Sequence, residues 1–378
     1  MNQLIIPTNV FWITAKEFYE VSLKELKGKN ILLFMSSSNA IRLSLKKWVD
    51  SLSHNCTLLW YDKSSSNPTH IDIFDILSKF KGITPDIVVA IGGGSTIDMA
   101  KSYVALNYLN SKKQLTKKDV LNCIKTKEYI KYPTHTPIYA IPTTAGTGSE
   151  VTRWATVWDL EEERKYSVDS PYLFPKKAYI VPEYTLSMPK RLTLSTGLDA
   201  LCHAIEAYWA KSTNPMVKEL SKAAISLIVE YLPRVLSDTE NLYDRKKICL
   251  GSLFSGLAFS NTRTTACHSI SYPLTMSFGI EHGLACALSL SKVMEINLPV
   301  IEEADKLLNA LRINTTEELQ KWLDKIAGGI VNLRLSSFGI QEKDISKLVN
   351  MSFTLGRMNN NPVEITPEIV KRILISIL

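Results

Sequence analysis

The stretch "DIVVAIGGGSTIDMAK", residues 86–101, decides the fold. Ile87 to Ile91 form an uninterrupted aliphatic run, as in a strand buried on both faces, and the residues after it read as a sharp glycine turn opening a helix. A strand feeding a helix in this way belongs to a parallel sheet with crossover helices. "NILLFM" (30–35), "CTLLWY" (56–61), "PIYAIPTT" (137–144) and "KAYIVP" (177–182) repeat the signal, while "VTRWATVWD" and "ERKYSVDS" (151–170) alternate like a short hairpin. From Gly197 onward periods of three to four residues replace the strand signals. The expected architecture is an α/β domain over 1–185 followed by an all-helical domain over 186–378. Ser195 or Thr196 is expected to cap the first helix of the second domain, and Thr366 the last one, with Ile369, Ile373 and Ile377 on its stripe.

A chain of 378 residues, 45% of them hydrophobic, can bury a core in each of two domains. The N-terminus lacks the pattern of a secretory signal, and no segment reaches the roughly eighteen uninterrupted apolar residues of a membrane span. A soluble, cytoplasmic protein is expected, with no membrane partner. Six cysteines without a CxxC pair read as reduced thiols. The net charge of +7 comes from scattered lysines, and "SKKQLTKKD" (111–119) reads as a solvated loop, which argues against nucleic acid. A mild positive field suits an anionic small molecule.

Gly92, Gly93, Gly94 and Ser95 stand where a helix start and glycine backbone, free to take positive φ, can cradle a phosphate. A second loop, "IPTTAGTGSEVT" (141–152), comes after another strand and offers the hydroxyls of Thr143, Thr144 and Thr147. Two such loops at the same ends of neighbouring strands define a Rossmann-like nucleotide crevice. Ser36, Ser37 and Ser38 close the first confident strand where an Asp could have repelled a 2′-phosphate, so NADPH is expected to be accepted, with NADH also possible.

In "STGLDALCHAIEAYWA" (195–210), Asp199 and His203 are four apart and share a helix face. His268 and His282 lie in an apolar setting where an unpartnered imidazole is costly. One carboxylate and three imidazoles suit Fe(II) or Zn(II) and not Mg(II) or Ca(II). His54, His70 and His135 have no acidic neighbours at ligand spacing and receive no role. Glu206 reads as an exposed helical residue or as a support for His203, and Cys202 and Cys267 as packing residues beside ligands.

"GGGSTIDMAK", "PTTAGTGSE", "GLDALCHAIE" and "SFGIEHGLACAL" together resemble the signatures of the iron-containing (group III) alcohol dehydrogenases, in matching order over essentially the whole chain. The resemblance implies the dehydroquinate synthase-like two-domain fold, a homodimer, and a metal held by Asp199, His203, His268 and His282. It also places Asn67, Asp98 and Lys165 near the nucleotide. Where many members carry a second His four residues after the third metal ligand, this chain has Tyr272, which can donate a proton or simply pack.

"TRTTACHSISY" and "GRMNNNP" (356–362) are most similar to members described as phosphonoacetaldehyde reductases. Independently of that, Arg263, five residues before His268, and Arg153, after the second cofactor loop, offer guanidinium forks for a phosphonate or carboxylate, with Arg357 a third candidate. The expected reaction is reduction of a small anionic aldehyde, phosphonoacetaldehyde foremost, to the alcohol, with Tyr272, Arg263 and Arg153 as catalytic candidates. The alternatives are a dehydrogenase of another small alcohol or diol, and a lyase of the dehydroquinate synthase type.

Overall fold

Strands β1 (Asn9–Trp12), β2 (Asn30–Phe34), β3 (Thr57–Tyr61), β4 (Ile87–Gly92), β5 (Ile138–Pro142) and β8 (Lys177–Ile180) form one sheet in the order β1-β8-β5-β4-β2-β3. Every pairing in it is parallel. β6 (Trp154–Asp159) and β7 (Arg164–Asp169) make a separate antiparallel hairpin. The computed structural model describes residues 3–63, 66–133, 136–354 and 356–378, so His135 lies outside the described residues. Two units emerge, one of residues 6–144 and 149–187, the other of 145–148 and 188–378 with an N-terminal piece ending at Ile5.

In the first unit the period of two along β2 sends Leu32 and Phe34 into one core and Ile31, Leu33 and Met35 into another. Helices α4 (His70–Lys79), α5 (Gly94–Lys113) and α6 (Lys117–Thr126) supply Ile73, Met99 and Val120 to the first core. Helices α1 (Ala15–Leu26) and α3 (Lys46–Asn55) supply Phe18 and Trp48 to the second, while α2 (Ser37–Arg42) follows β2 directly. Both sheet faces are covered, which is why these strands carry no polar alternation. β1 is not among the expected strands: although Val10, Phe11 and Trp12 favour extended backbone, it is only four residues long and gains its place by pairing with β8.

The second unit is helical: α7 (Lys190–Trp209), α8 (Pro215–Ser237), α9 (Leu242–Thr262), α10 (Ala266–Phe278), α11 (His282–Asn297), then α12 (Ala304–Leu311), α13 (Thr316–Ala327), α14 (Ile345–Met351) and α15 (Pro367–Ser376). α7 begins at Lys190 after Pro189, so Ser195 and Thr196 are buried helix-interior residues and not caps. Thr196 Oγ1 instead bonds back to the Leu192 carbonyl at 3.0 Å. Thr366 does cap α15, whose buried residues are Val370, Ile373 and Leu374, so the stripe is shifted from Ile369. The segment His282–Val300 is long and apolar enough to cross a membrane, with mean hydropathy 1.2, but 67% of it is buried against its own unit, as in a core helix.

Candidate active site

α7 carries Asp199, His203 and Glu206 on its buried side. Gly283 lets α11 approach it: a Cβ there would lie 1.8 Å from the Ser195 carbonyl oxygen and 2.9 Å from Asp199 Cβ. That approach brings His282 Nε2 to 3.9 Å from Asp199 Oδ1, while α10 brings His268 Nε2 to 3.4 Å from the same oxygen. Asp199 Oδ1 and His268 Nε2 are buried and have no hydrogen-bond partner. Two converging orphan donors of this kind fit a cation, because leaving them unmet costs roughly 1–3 kcal/mol each.

His203 sits on the other side of the carboxylate, its Nδ1 3.8 Å from Asp199 Oδ2, with its ring stacked on Phe259 at 4.0 Å and on His268 at 4.3 Å. Burial lowers its pKa to about 4, so the imidazole is neutral and able to ligate at neutral pH. Burial works to raise the Asp199 carboxyl, but His203, His268 and His282 outweigh it and hold the group well below the usual range. The donors whose ligand atoms all come within 4.8 Å of one another are Asp199, His268, His282 and Cys286, among the described residues. Cys286, absent from the sequence-derived set, was visible only as the i+4 neighbour of His282.

Glu206 corrects the sequence reading twice. It is fully buried, and its partner is His268, not His203. Its Oε2 pairs with His268 Nδ1, while Oε1 accepts from the Cys267 N–H at 2.7 Å and from Thr265 Oγ1 at 2.8 Å. One carboxylate thus caps α10 and turns His268 Nε2 toward Asp199. Ser271 Oγ lies 3.4 Å from His282 Nδ1 and steadies the second imidazole.

In the α/β unit the chain reverses its direction across the sheet between β2 and β4, which places a nucleotide crevice at their C-terminal ends. Gly93 precedes α5 and Gly94 opens it, but none of Gly92, Gly93 and Gly94 has positive φ, contrary to expectation. Close approach is the reason for Gly92: a Cβ there would sit 2.4 Å from Thr96 Oγ1. The Thr143 N–H donates to the Gly92 carbonyl at 3.0 Å, Thr144 lies against Gly93, and the Asn67 N–H donates to Ser95 Oγ at 3.3 Å. These residues therefore gather at one edge of the crevice. Thr147 belongs to the helical unit instead. Ser36 caps α2 through Asn39 N, and Ser37 Oγ lies 3.4 Å from Asp62 Oδ2, an acidic neighbour that the sequence reading left out.

Asp98 accepts from Ser149 Oγ at 2.6 Å and from the Thr156 N–H at 2.8 Å; burial raises its pKa against the opposing pull of Lys101, these hydrogen bonds and, more weakly, Lys165. Beside it the buried Lys101 donates to the carbonyls of Ser149, Thr152 and Trp154 at 2.6, 2.8 and 3.0 Å. Asp98 and Lys101 thereby tie the second glycine loop's exit to α5.

Arg153 pairs with Asp169 at 2.9 Å on the hairpin, so its charge is already engaged. Arg263, at the end of α9, has φ 65 and ψ −177, a region nearly restricted to glycine. Asn360 Nδ2 donates to the carbonyls on both sides of it, Thr262 at 2.9 Å and Thr264 at 3.2 Å. Arg263 Nη1 would be 3.1 Å from a Cβ at Gly356, and the next residue, Arg357, places its guanidinium 5.7 Å over the Tyr272 ring. Tyr272 stacks parallel to His282 at 5.7 Å. A chain of contacts thus runs from Arg357 through Tyr272 to His282, with Arg263 beside Gly356.

Models of two families match the chain: iron-containing alcohol dehydrogenase over residues 13–182 and the Fe-containing alcohol dehydrogenase family, C-terminal, over 193–378. A phosphonoacetaldehyde reductase of Streptomyces viridochromogenes is 31% identical over 319 residues, 81% of this chain and 80% of its own. The NAD-dependent methanol dehydrogenase of Bacillus methanolicus is 29% identical over 99% of this chain and 98% of its own. Among solved structures, sulfoacetaldehyde reductase from Bifidobacterium kashiwanohense in complex with NAD+ superposes with TM-score 0.85 at 26% identity, covering 100% of this chain and 98% of that one. Together with the two-unit fold, these matches show that the chain belongs to the iron-containing alcohol dehydrogenase family, oxidoreductases that use iron and NAD(H).

Proposed function

We propose that this enzyme reduces a small anionic aldehyde, phosphonoacetaldehyde foremost, to its alcohol with NADH or NADPH. The observation that carries the reading is Arg263, held by Asn360 in a glycine-like backbone conformation beside Gly356 and Arg357. Strain of this kind persists where the surroundings over-determine it, and here it aims a guanidinium. A planar fork matches a phosphonate or sulfonate; an uncharged alcohol gives it nothing to bind. The anionic substrates named for the Streptomyces and Bifidobacterium relatives support the same class.

Asp199, His203, His268 and His282 are proposed to hold Fe(II) or Zn(II), with Glu206 and Ser271 orienting two of the rings. The ion supplies Lewis acidity toward a carbonyl. Gly92, Gly93, Gly94, Ser95, Thr143, Thr144 and Asn67 are proposed to receive the dinucleotide phosphates, and Ser36 to lie toward its ribose end. Asp98 and Lys165 support that loop, and Thr147 is proposed for the cofactor as a hydroxyl of the second glycine loop. Arg263 and Arg357 bind the substrate anion, Arg153 stays with Asp169, and Tyr272 delivers the proton. Hydride and proton together convert the aldehyde to the alcohol. A cytoplasmic homodimer without nucleic-acid or membrane partners completes the proposal; sedimentation velocity checks the dimer.

The test compares kcat/KM on phosphonoacetaldehyde, sulfoacetaldehyde and neutral aldehydes of similar size, for wild type and Arg263→Ala, with NADH and NADPH in parallel. Loss of a charge-assisted contact worth about 1.5–3 kcal/mol predicts a roughly 10- to 150-fold drop on the anions only. Preference for neutral substrates, as the relationship to a methanol dehydrogenase would have it, overturns the reading.

A further inference from the structure

A buried cysteine is by default a small apolar filler. Cys286 differs in what its sulfur faces. It lies one turn after His282 on α11, is fully buried, and has Sγ 3.8 Å from His282 Nε2. Asp199 Oδ1 and His268 Nε2, both buried and without hydrogen-bond partners, face each other at 3.4 Å, and the ligand atoms of Asp199, His268, His282 and Cys286 lie within 4.8 Å of one another. Donors bound tetrahedrally at about 2.0–2.3 Å are separated by roughly 3.3–3.8 Å, so the observed spacings need only small adjustments to share one ion.

We propose that Cys286 is itself a ligand, so that the centre presents a carboxylate, imidazoles and a thiolate. The inference rests on the reading of this group as a metal centre and adds a donor that the residue pattern of the family does not supply. Asp199 can serve both sides, because Oδ1 faces His268 and His282 whereas Oδ2 faces His203. On binding, the S–H bond breaks, the sulfur lone pair goes to the ion and the proton to solvent. A thiolate in the set shifts selectivity from Fe(II) toward Zn(II), the softer and more tightly held of the two.

Cobalt(II) titration of the metal-free, full-length protein tests this. Visible d–d bands report that cobalt is bound, and a near-ultraviolet sulfur-to-cobalt charge-transfer band reports that sulfur is a ligand. Wild type and Cys202→Ala are expected to show both. Cys286→Ser and Cys286→Ala are expected to keep the d–d bands and lose the charge-transfer band, with Zn(II) affinity lower by at least about 10-fold. Bound cobalt without the charge-transfer band in wild type, or a band that survives Cys286→Ala, overturns the proposal and leaves the metal centre standing. Absence of d–d bands and of stoichiometric metal in wild type overturns both. Because the wild-type spectrum alone can overturn the proposal, a variant that fails to fold does not protect it.

Discussion

Glu206 and His268, 62 residues apart, are joined through both carboxylate oxygens: Oε2 to the ring Nδ1 and Oε1, at 3.4 Å, to the backbone N–H. The same group therefore sets the ring's tautomer and caps the first turn of the helix that carries it. Glu206→Gln keeps the cap and weakens the ring's anchor, so metal affinity should fall about 10- to 100-fold in a chelator competition. Glu206→Ala leaves the imidazole and the α10 N–H groups unmet in the interior and should cost about 3–5 kcal/mol in urea unfolding.

Gly283→Ala tests the closeness of α11 and α7. Its methyl would overlap the Ser195 carbonyl, so the loss should reach or exceed the about 1–3 kcal/mol of ordinary overpacking, with metal binding lost as His282 is pushed out. Gly279→Ala is the comparison: its φ is 65 but nothing lies within 4 Å, and only a conformational cost of about 1 kcal/mol is expected.

Arg263→Gly separates strain from binding. Both Arg263→Gly and Arg263→Ala should lose activity on the anionic substrate equally. Glycine should be the more stable of the two by about 1–3 kcal/mol, because its backbone accepts φ 65, ψ −177 without penalty. Equal melting temperatures would mean the turn relaxes freely.

Burial raises the Glu150 carboxyl from 4.5 to about 7. Between those values the folded chain keeps a proton that the unfolded chain has released, so this group's contribution falls as pH rises. The wild-type stability relative to Glu150→Gln should drop by up to about 3 kcal/mol from pH 4.5 to 7 and be flat below that window. Guanidinium unfolding of both proteins at several pH values measures it.

Asp62, beside Ser37, offers a test of the proposed position of the cofactor ribose. Asp62→Asn removes a negative charge from the proposed ribose end and should raise the NADPH-to-NADH ratio of kcat/KM about 5- to 10-fold, an effect reduced by salt. An unchanged ratio would place the ribose elsewhere.

Strand and helix periodicity made the sheet core, the glycine turn at 92–94 and the helical second half legible, because burial on both faces leaves an aliphatic record that is local in sequence. Asp199 and His203 were likewise readable as an i,i+4 pair. The four-residue β1 and the start of α7 were not, since one depends on pairing with β8 and the other runs through hydroxyl residues that usually cap. Residue types and their spacing marked candidate side chains for a metal, a phosphate and an anion, with Cys286 not among them. Only the folded chain reveals that Glu206 serves His268, that Arg153 is committed to Asp169, and that Cys286 meets Asp199. Those partnerships arise from helix packing and hairpin register, in which residues distant along the chain become neighbours, and no local period encodes them.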